Sequence, residues 1–217
     1  MLSLKLTLST SFLAALFVMI ISVPTAYSLS RYEFPLKNFI KTIIDLPMAF
    51  PEIIIGLGLL IILGNGFLSN ILSYIGIEVL FTPNGIILAQ FFVSFPYAVR
   101  ILYSTFSYID PRYEFVSRSL GAGEFKTLIN ITLPLAKGGL IAGSVVCLAR
   151  CIGAFAAVLL IGGGTFLKTE TLPVTIYYNL SLGNIDSAIT AGIVLLLISF
   201  IIIFVLETYC NFEGMNN

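Results

Sequence analysis

Two oppositely charged side chains lie within otherwise apolar stretches, and they are the first residues that could do chemistry. Glu52 stands in "FPEIIIG" and Arg150 stands in "VVCLARCIG". A charge near the middle of a membrane costs about 2.5–3.5 kcal/mol on insertion scales, so such residues face protein or a water-filled cavity. We predict that Glu52 and Arg150 form an ion pair between two helices.

Small residues recur every four positions in the same stretch as Arg150. Such a stripe lets two membrane helices approach closely. Its cysteines are therefore interpreted as packing residues rather than as nucleophiles or metal ligands. The stripe consists of Gly139, Gly143, Cys147 and Cys151.

The remaining composition argues against most enzymatic chemistry. The chain has no histidine and no net charge. It also lacks the G-x-x-x-x-G-K-[ST] pattern that cradles the phosphates of ATP. We therefore expect no catalytic residue, no metal site, no cofactor held by this chain and no nucleic-acid partner.

A charged, glycine-punctuated segment interrupts the apolar sequence at residues 117–135, "SRSLGAGEFKTLINITLPL". Just upstream, Asp110 can cap a helix and Pro111 suits a first helical position, which predicts a helix over 111–120. Gly121 fits the left-handed residue that closes this helix, and a second short helix follows it. The segment is thus expected to form a helix-turn-helix hairpin.

The predicted hairpin carries apolar side chains that would face water unless something covers them: Phe115, Leu120, Phe125 and Leu128. Two interpretations remain open from the residues alone. The hairpin rests on lipid headgroups as an amphipathic loop, or it fills a groove on a cytoplasmic partner.

The elements that position these residues are predicted to be membrane helices. The chain is 58% apolar and 10% charged, against about 25% charged in soluble domains, and its mean hydropathy is +1.04. A helix needs about 20 apolar residues to cross a bilayer. The expected fold is one all-α transmembrane domain over 1–217, with a short surface or re-entrant segment at 171–183. Its five spans are predicted at 6–29, 42–64, 85–106, 138–162 and 187–206.

The distribution of basic residues predicts the orientation. The loops after the first and third spans carry most of the Lys and Arg, whereas 65–84 carries none and 163–186 carries only Lys168. Because cytoplasmic loops carry the basic excess, the N-terminus is expected outside, the C-terminus inside and the hairpin in the cytoplasm. A single lysine precedes a long first apolar run, which favours a retained helix over a cleaved signal peptide.

The hairpin carries a motif that indicates a family. The spacing G-x9-I-x-L-P is met by Gly121, Ile131, Leu133 and Pro134, and it resembles the "EAA" loop of ATP-binding cassette importer permeases. The Glu-Ala-Ala triplet itself is replaced by Phe-Val-Ser at 115–117. Glu114 stands one place earlier, where molybdate-type permeases also tend to carry a glutamate.

The resemblance covers nearly the whole chain. The stretches 42–64, 88–100, 110–123 and 169–189 are similar, in order, to the molybdate/tungstate branch of these permeases. That branch has Gly-Glu-Phe-Gly where this chain has Gly-Ala-Phe-Ala at 153–156, and Glu52 stands where the branch usually has a proline. We expect Glu52 to replace the missing glutamate as the partner of Arg150. The alternative, which the resemblance implies, is that Arg150 contacts an oxyanion as it crosses the membrane.

The resemblance implies the working parts of an importer in the cell membrane. Two permease copies would form the pathway, a separate ATPase subunit would bind ATP and Mg, and an external binding protein would deliver molybdate or tungstate, with sulfate or thiosulfate as the alternative. The coupling loop, 108–134, would dock in a cleft of the ATPase. The coupling residues are then Glu114, Phe115, Arg118, Leu120, Gly121, Ala122 and Gly123.

Two other classes of protein remain possible from the sequence. A self-sufficient secondary transporter or channel predicts intramembrane carboxylates or inverted repeats, and Glu52 is the only central acid. A membrane scaffold would need no partner ATPase. Co-purification of an ATPase separates the importer from both.

Overall fold

The computed structural model describes residues 2–64, 74, 76, 78–166 and 168–214, and the regular elements within them are all helical. One five-residue π-helix, Leu128–Thr132, interrupts the α-helices. The α-helices are α1 Leu2–Arg31, α2 Lys37–Ala49, α3 Glu52–Gly64, α4 Pro83–Tyr108, α5 Arg112–Ser119, α6 Glu124–Thr127, α7 Leu133–Leu135, α8 Lys137–Gly153, α9 Ala156–Gly162, α10 Leu172–Ser181 and α11 Ile185–Gly214.

The core lies where α1, α4 and α8 meet. Small side chains bring these helices together, because Ala14 and Val18 of α1 pack with Ala98 of α4 and with Cys147 and Cys151 of α8. A second apolar cluster joins α3, α4 and α9, and a third joins the ends of α1 and α4 to the hairpin. The outer surface is also apolar: α11 exposes Leu196, Phe200 and Phe204 among others, as expected for a helix surrounded by lipid.

Three helices are long and apolar enough to cross a membrane: Leu2–Arg31, Pro83–Tyr108 and Ile185–Val205. Two bent pairs bring this number to five if each pair counts as one span. One pair is α2 with α3, bent by 113°, and the other is Glu124–Leu135 with α8, bent by 77°. The described residues therefore contain three to five candidate spans, and the direction in which they cross stays a prediction.

The predicted span at 42–64 is not one straight helix, which corrects the sequence interpretation. Helix α2 ends at Ala49, and Phe50 is extended with ψ 146°. The following Pro51 explains the break, since proline disfavours the helical region for the residue before it and has no N–H to donate.

The predicted span at 138–162 is likewise interrupted. Helix α8 ends at Gly153, Ala154 is extended with ψ 124°, and α9 begins at Ala156. Glu52 of α3 and Gln90 of α4 form hydrogen bonds with the backbone at this interruption.

The short segment at 171–183 forms α10, which lies against α11 and buries Leu172 and Val174. Ten residues of helix reach about 15 Å, half of a bilayer core, so α10 is too short to span it. Its placement as a surface or re-entrant segment stays a prediction. Most of the predicted outer loop at 65–84 lies outside the described residues.

Candidate functional site

The hairpin forms with the bend that the sequence predicts. The Asp110 carboxylate accepts a hydrogen bond at 2.9 Å from the N–H of Arg112, the first residue of α5, and Pro111 is the N-cap. Gly121 then adopts φ +89°, and its N–H donates to the Arg118 carbonyl at 3.0 Å. A Cβ at Gly121 would meet no atom within 4 Å, so the left-handed backbone alone demands glycine there. Gly123 after the bend is extended and opens α6.

The outer face of the hairpin is apolar and uncovered. Phe115, Leu120 and Phe125 are 72%, 84% and 76% exposed. The fourth apolar residue of the prediction, Leu128, packs instead into the cluster that joins the hairpin to α1 and α4. A groove of about 540 Å³ runs beside this face. Its lining includes Arg112, Tyr113, Val116, Ser117, Leu120, Ala122 and Lys126.

Glu114 points the other way, into the protein, and is only 4% exposed. Its carboxylate accepts hydrogen bonds from Arg31 Nε at 2.9 Å, from the Tyr27 hydroxyl at 3.1 Å and from the Thr132 hydroxyl at 3.0 Å. Arg118 Nη2 lies 3.8 Å from the same carboxylate. The sequence placed Glu114 on the coupling surface, whereas the structure places it underneath, where it ties the hairpin to the end of α1.

Arg118 extends this attachment along the hairpin. It lies 3.2 Å from the Glu124 carboxylate, and Glu124 also accepts from the Tyr32 hydroxyl at 3.2 Å. Charged groups thus connect both arms of the hairpin to the end of α1. Sequence reasoning missed Tyr27 and Arg31 because their contacts with Glu114 span more than 80 residues.

The two intramembrane charges have separate partners in this conformation. The Glu52 carboxylate accepts a hydrogen bond from the N–H of Phe155 at 3.2 Å. The Arg150 guanidinium lies over the ring of Tyr97, with its central carbon 3.9 Å from the ring centre, and it donates to the Tyr97 hydroxyl. Five ion pairs occur among the described residues, and Glu52–Arg150 is not one of them.

Glu52 instead belongs to the interruption between α8 and α9. Gln90 of α4 approaches the same interruption and donates to the Cys151 carbonyl at 3.0 Å and to the Ser11 hydroxyl at 3.0 Å. An unsatisfied backbone group in a membrane costs several kcal/mol, so these two side chains stabilise a helix break that lipid would not tolerate. Sequence reasoning missed Gln90. The signal that could have identified it is a single amide side chain within the apolar stretch "IILAQFFV".

The stripe of small residues on α8 faces α4 and α1. A Cβ at Gly139 would collide with the Thr105 side chain, and one at Gly143 would lie 3.7 Å from Leu102. Cys147 and Cys151 are completely buried, and Cys151 Sγ lies 3.1 Å from the Ser94 hydroxyl. Among the described residues, no group of three or more His, Cys, Asp or Glu could hold a metal ion.

Residues 18–210 match the family described as "Binding-protein-dependent transport system inner membrane component". The chain belongs to this family. The resemblance predicted from the hairpin motif is confirmed, and so is the expectation that this permease is a transport subunit rather than an enzyme.

Relatives of the permease carry names from several transport systems. It is 32% identical to the molybdate/tungstate transport system permease protein WtpB of Methanocaldococcus jannaschii, over 97% of this chain and 82% of that protein. It is also 32% identical to the sulfate transport system permease protein CysT of Salmonella typhimurium, over 94% and 74% of the two chains. The probable transport system permease protein NifC of Clostridium pasteurianum is 32% identical, over 91% of this chain and 70% of that protein.

Solved structures share the fold of the permease at lower identity. A bacterial ABC transporter involved in the import of the acidic polysaccharide alginate matches with a TM-score of 0.80 and 20% identity, over 97% of this chain and 78% of that chain. An inward-facing conformation of the MetNI methionine ABC transporter matches with a TM-score of 0.73 and 18% identity, over 95% of this chain and 92% of that chain.

Proposed function

We propose that this permease is the membrane-spanning subunit of an ATP-driven importer of tetrahedral oxyanions, with molybdate or tungstate as the substrate and sulfate as the alternative. The observation that carries the proposal is the hairpin, which exposes Phe115, Leu120 and Phe125 while Glu114 anchors it to α1. Three large apolar side chains exposed on one short hairpin favour a protein partner that covers them. The partner is a separate ATPase subunit, which binds ATP and Mg.

The substrate class rests on the relatives. Molybdate/tungstate and sulfate permeases are equally similar to this chain, at 32% identity. The anions they are named for share a tetrahedral shape and a double negative charge, so one pathway can serve either. An external binding protein then selects the anion and delivers it to the outer loops, which include 65–84 and 165–186.

The mechanism joins two permease copies in the plasma membrane. ATP binding draws the two ATPase subunits together, each ATPase moves the hairpin held in its cleft, and the hairpin moves α1 through the buried Glu114–Arg31 contact. The pathway between the copies then changes from inward-open to outward-open.

The test is a single charge on the exposed face of the hairpin. Leu120→Asp leaves the core untouched, because Leu120 is almost fully exposed. It should abolish co-purification of the ATPase and reduce ATP-dependent uptake of labelled molybdate, tungstate or sulfate in reconstituted vesicles to background.

The matched control is Leu182→Asp, which places the same charge on another exposed leucine, after α10. It should retain the ATPase. Normal ATP-driven uptake by the Leu120→Asp variant would contradict the proposal, and uptake without any ATPase would favour a secondary transporter.

A further inference from the structure

A polar cleft of about 530 Å³ lies between α2 and α4, outside the hairpin surface. Leu29 of α1 lines it, two residues before the Arg31 that binds Glu114. Tyr108, the last residue of α4 before the hairpin, lines it as well. The cleft therefore opens at the end of the bundle that carries the hairpin.

The polar lining of the cleft comes from two regular helix faces. On α2, Lys41 and Asp45 are four residues apart, and on α4 the polar positions recur at intervals of three and four. Each helix turns one polar face toward the other. The polar residues on the two faces are Lys41, Asp45, Arg100, Tyr103, Ser104 and Ser107.

Neither cation of the cleft forms an ion pair with a residue that the structure describes. Lys41 Nζ lies 3.8 Å from the centre of the Tyr103 ring, which holds the ammonium in the cleft without cancelling its charge. Arg100 is exposed and has no ion-pair or hydrogen-bond partner among the described residues. Asp45 makes no ion pair within 4.0 Å with either cation. Two cations against one carboxylate leave a formal charge of +1.

This chemistry matches a tetrahedral oxyanion. Such an anion accepts several hydrogen bonds at once, and charge-assisted bonds from guanidinium and ammonium groups are the strong ones. Arg100 offers a planar fork of donors and Lys41 a compact ammonium. The Ser104 and Ser107 hydroxyls have no partner among the described residues and add two neutral donors.

We propose that the cleft between α2 and α4 binds a tetrahedral oxyanion group through Lys41 and Arg100. The same chemistry is present in a free oxyanion that has been imported and in the phosphate of an anionic lipid headgroup. The assignment of a free, imported anion rests on the proposed function. Binding of the oxyanion group itself does not.

The experiment measures anion binding to the permease–ATPase complex in lipid nanodiscs. Tungstate, sulfate and inorganic phosphate are titrated separately into nanodiscs of neutral phosphatidylcholine. In a second arm, nanodiscs contain phosphatidylglycerol, and native mass spectrometry counts the lipids that the complex retains. Tungstate or sulfate binding in neutral lipid identifies a free anion, whereas selective retention of phosphatidylglycerol identifies a headgroup.

The variants separate the cleft from general surface charge. Arg100→Gln and Lys41→Gln should each weaken binding about tenfold, since a hydrogen bond to a charged group is worth about that factor. Asp45→Asn should tighten it, because it removes the negative charge of the cleft. The control is Lys5→Gln, which removes one exposed positive charge from the opposite end of α1 and should leave binding unchanged.

Two outcomes would overturn the inference. One is the absence of both anion binding and selective lipid retention in the unmodified complex. The other is equal loss of binding in Lys5→Gln and in the cleft variants. ATP-driven uptake is measured on the same preparation. A complex that transports normally without binding an anion or retaining phosphatidylglycerol disproves only the binding site in the cleft. A complex that binds an anion but does not transport disproves only the proposed function.

Discussion

At the scale of single residues, Glu114 is held by contacts with several other elements. It is buried, and its carboxylate accepts from one guanidinium and two hydroxyls on other elements. A buried ion pair adds little stability relative to apolar side chains, but removal of one partner leaves the other charge unpaired and is strongly destabilising. We therefore expect that loss of either partner would weaken the attachment of the hairpin to α1.

Glu114→Ala should lower the free energy of unfolding by about 3–5 kcal/mol, because it removes the carboxylate that pairs with the nearly buried Arg31 guanidinium. The double variant Arg31→Met with Glu114→Leu should recover part of this loss. The single variants Arg31→Met and Glu114→Leu complete a double-mutant cycle with this double variant, and denaturation of the purified permease in detergent measures the coupling free energy.

The control for this cycle is a more exposed ion pair, Lys37–Glu33, in which the Glu33 side chain is 89% exposed. Glu33→Ala should cost less than about 1 kcal/mol. Equal costs for Glu33→Ala and Glu114→Ala would show that burial of Glu114 contributes nothing.

At the scale of elements, the interruption between α8 and α9 depends on side chains from other helices. Glu52 accepts from the N–H of Phe155, and Gln90 donates to the carbonyl of Cys151. Neither partner is near the break in sequence. The break is therefore a tertiary feature, although Gly153 makes it easier by its low helix propensity.

Glu52→Gln should be tolerated, within about 1 kcal/mol, because the amide oxygen still accepts from Phe155. Glu52→Leu should cost about 1–3 kcal/mol, since it leaves a half-buried N–H without an acceptor. Thermal unfolding of the two variants in detergent measures this difference.

The same pair of variants also tests the ion pair first predicted from the sequence. If Glu52 pairs with Arg150 in another conformation, its charge is essential there, and Glu52→Gln would abolish uptake as fully as Glu52→Leu does. Normal uptake by Glu52→Gln would leave the hydrogen bond to Phe155 as the role of Glu52.

At the scale of the whole molecule, close approach of α8 to α4 and α1 holds the bundle together. In a membrane, helices associate by packing and hydrogen bonds rather than by the hydrophobic effect. At Gly139, the Thr105 side chain of α4 occupies the space that a Cβ would need.

Gly139→Ala should destabilise the bundle by about 1–3 kcal/mol, because the added methyl group collides with Thr105 and forces α8 away from α4. The matched control is the preceding residue: Gly138→Ala meets no atom within 4 Å and should be neutral or slightly stabilising. Unfolding in a denaturing detergent measures both. Equal effects would mean that the contact with Thr105 does not limit the packing.

The sequence by itself determined the features that depend on local chemistry. Hydropathy predicted an all-helical membrane protein, and the spacing from Gly121 to Pro134 identified the family. Asp110 and Gly121 predicted the start and the bend of the hairpin, because capping and a left-handed backbone are properties of a few neighbouring residues.

Only the tertiary structure decided how distant residues meet. Helical periodicity can place Glu114 on a short helix, but it cannot say that Arg31 lies beneath it and draws it away from the exposed face. Opposite charges at similar depth suggested a Glu52–Arg150 pair, yet Phe155 and Tyr97 lie closer and take both side chains. The physical reason is that a polar group in a low-dielectric interior binds the nearest suitable partner, and distance between helices is not written in the local sequence.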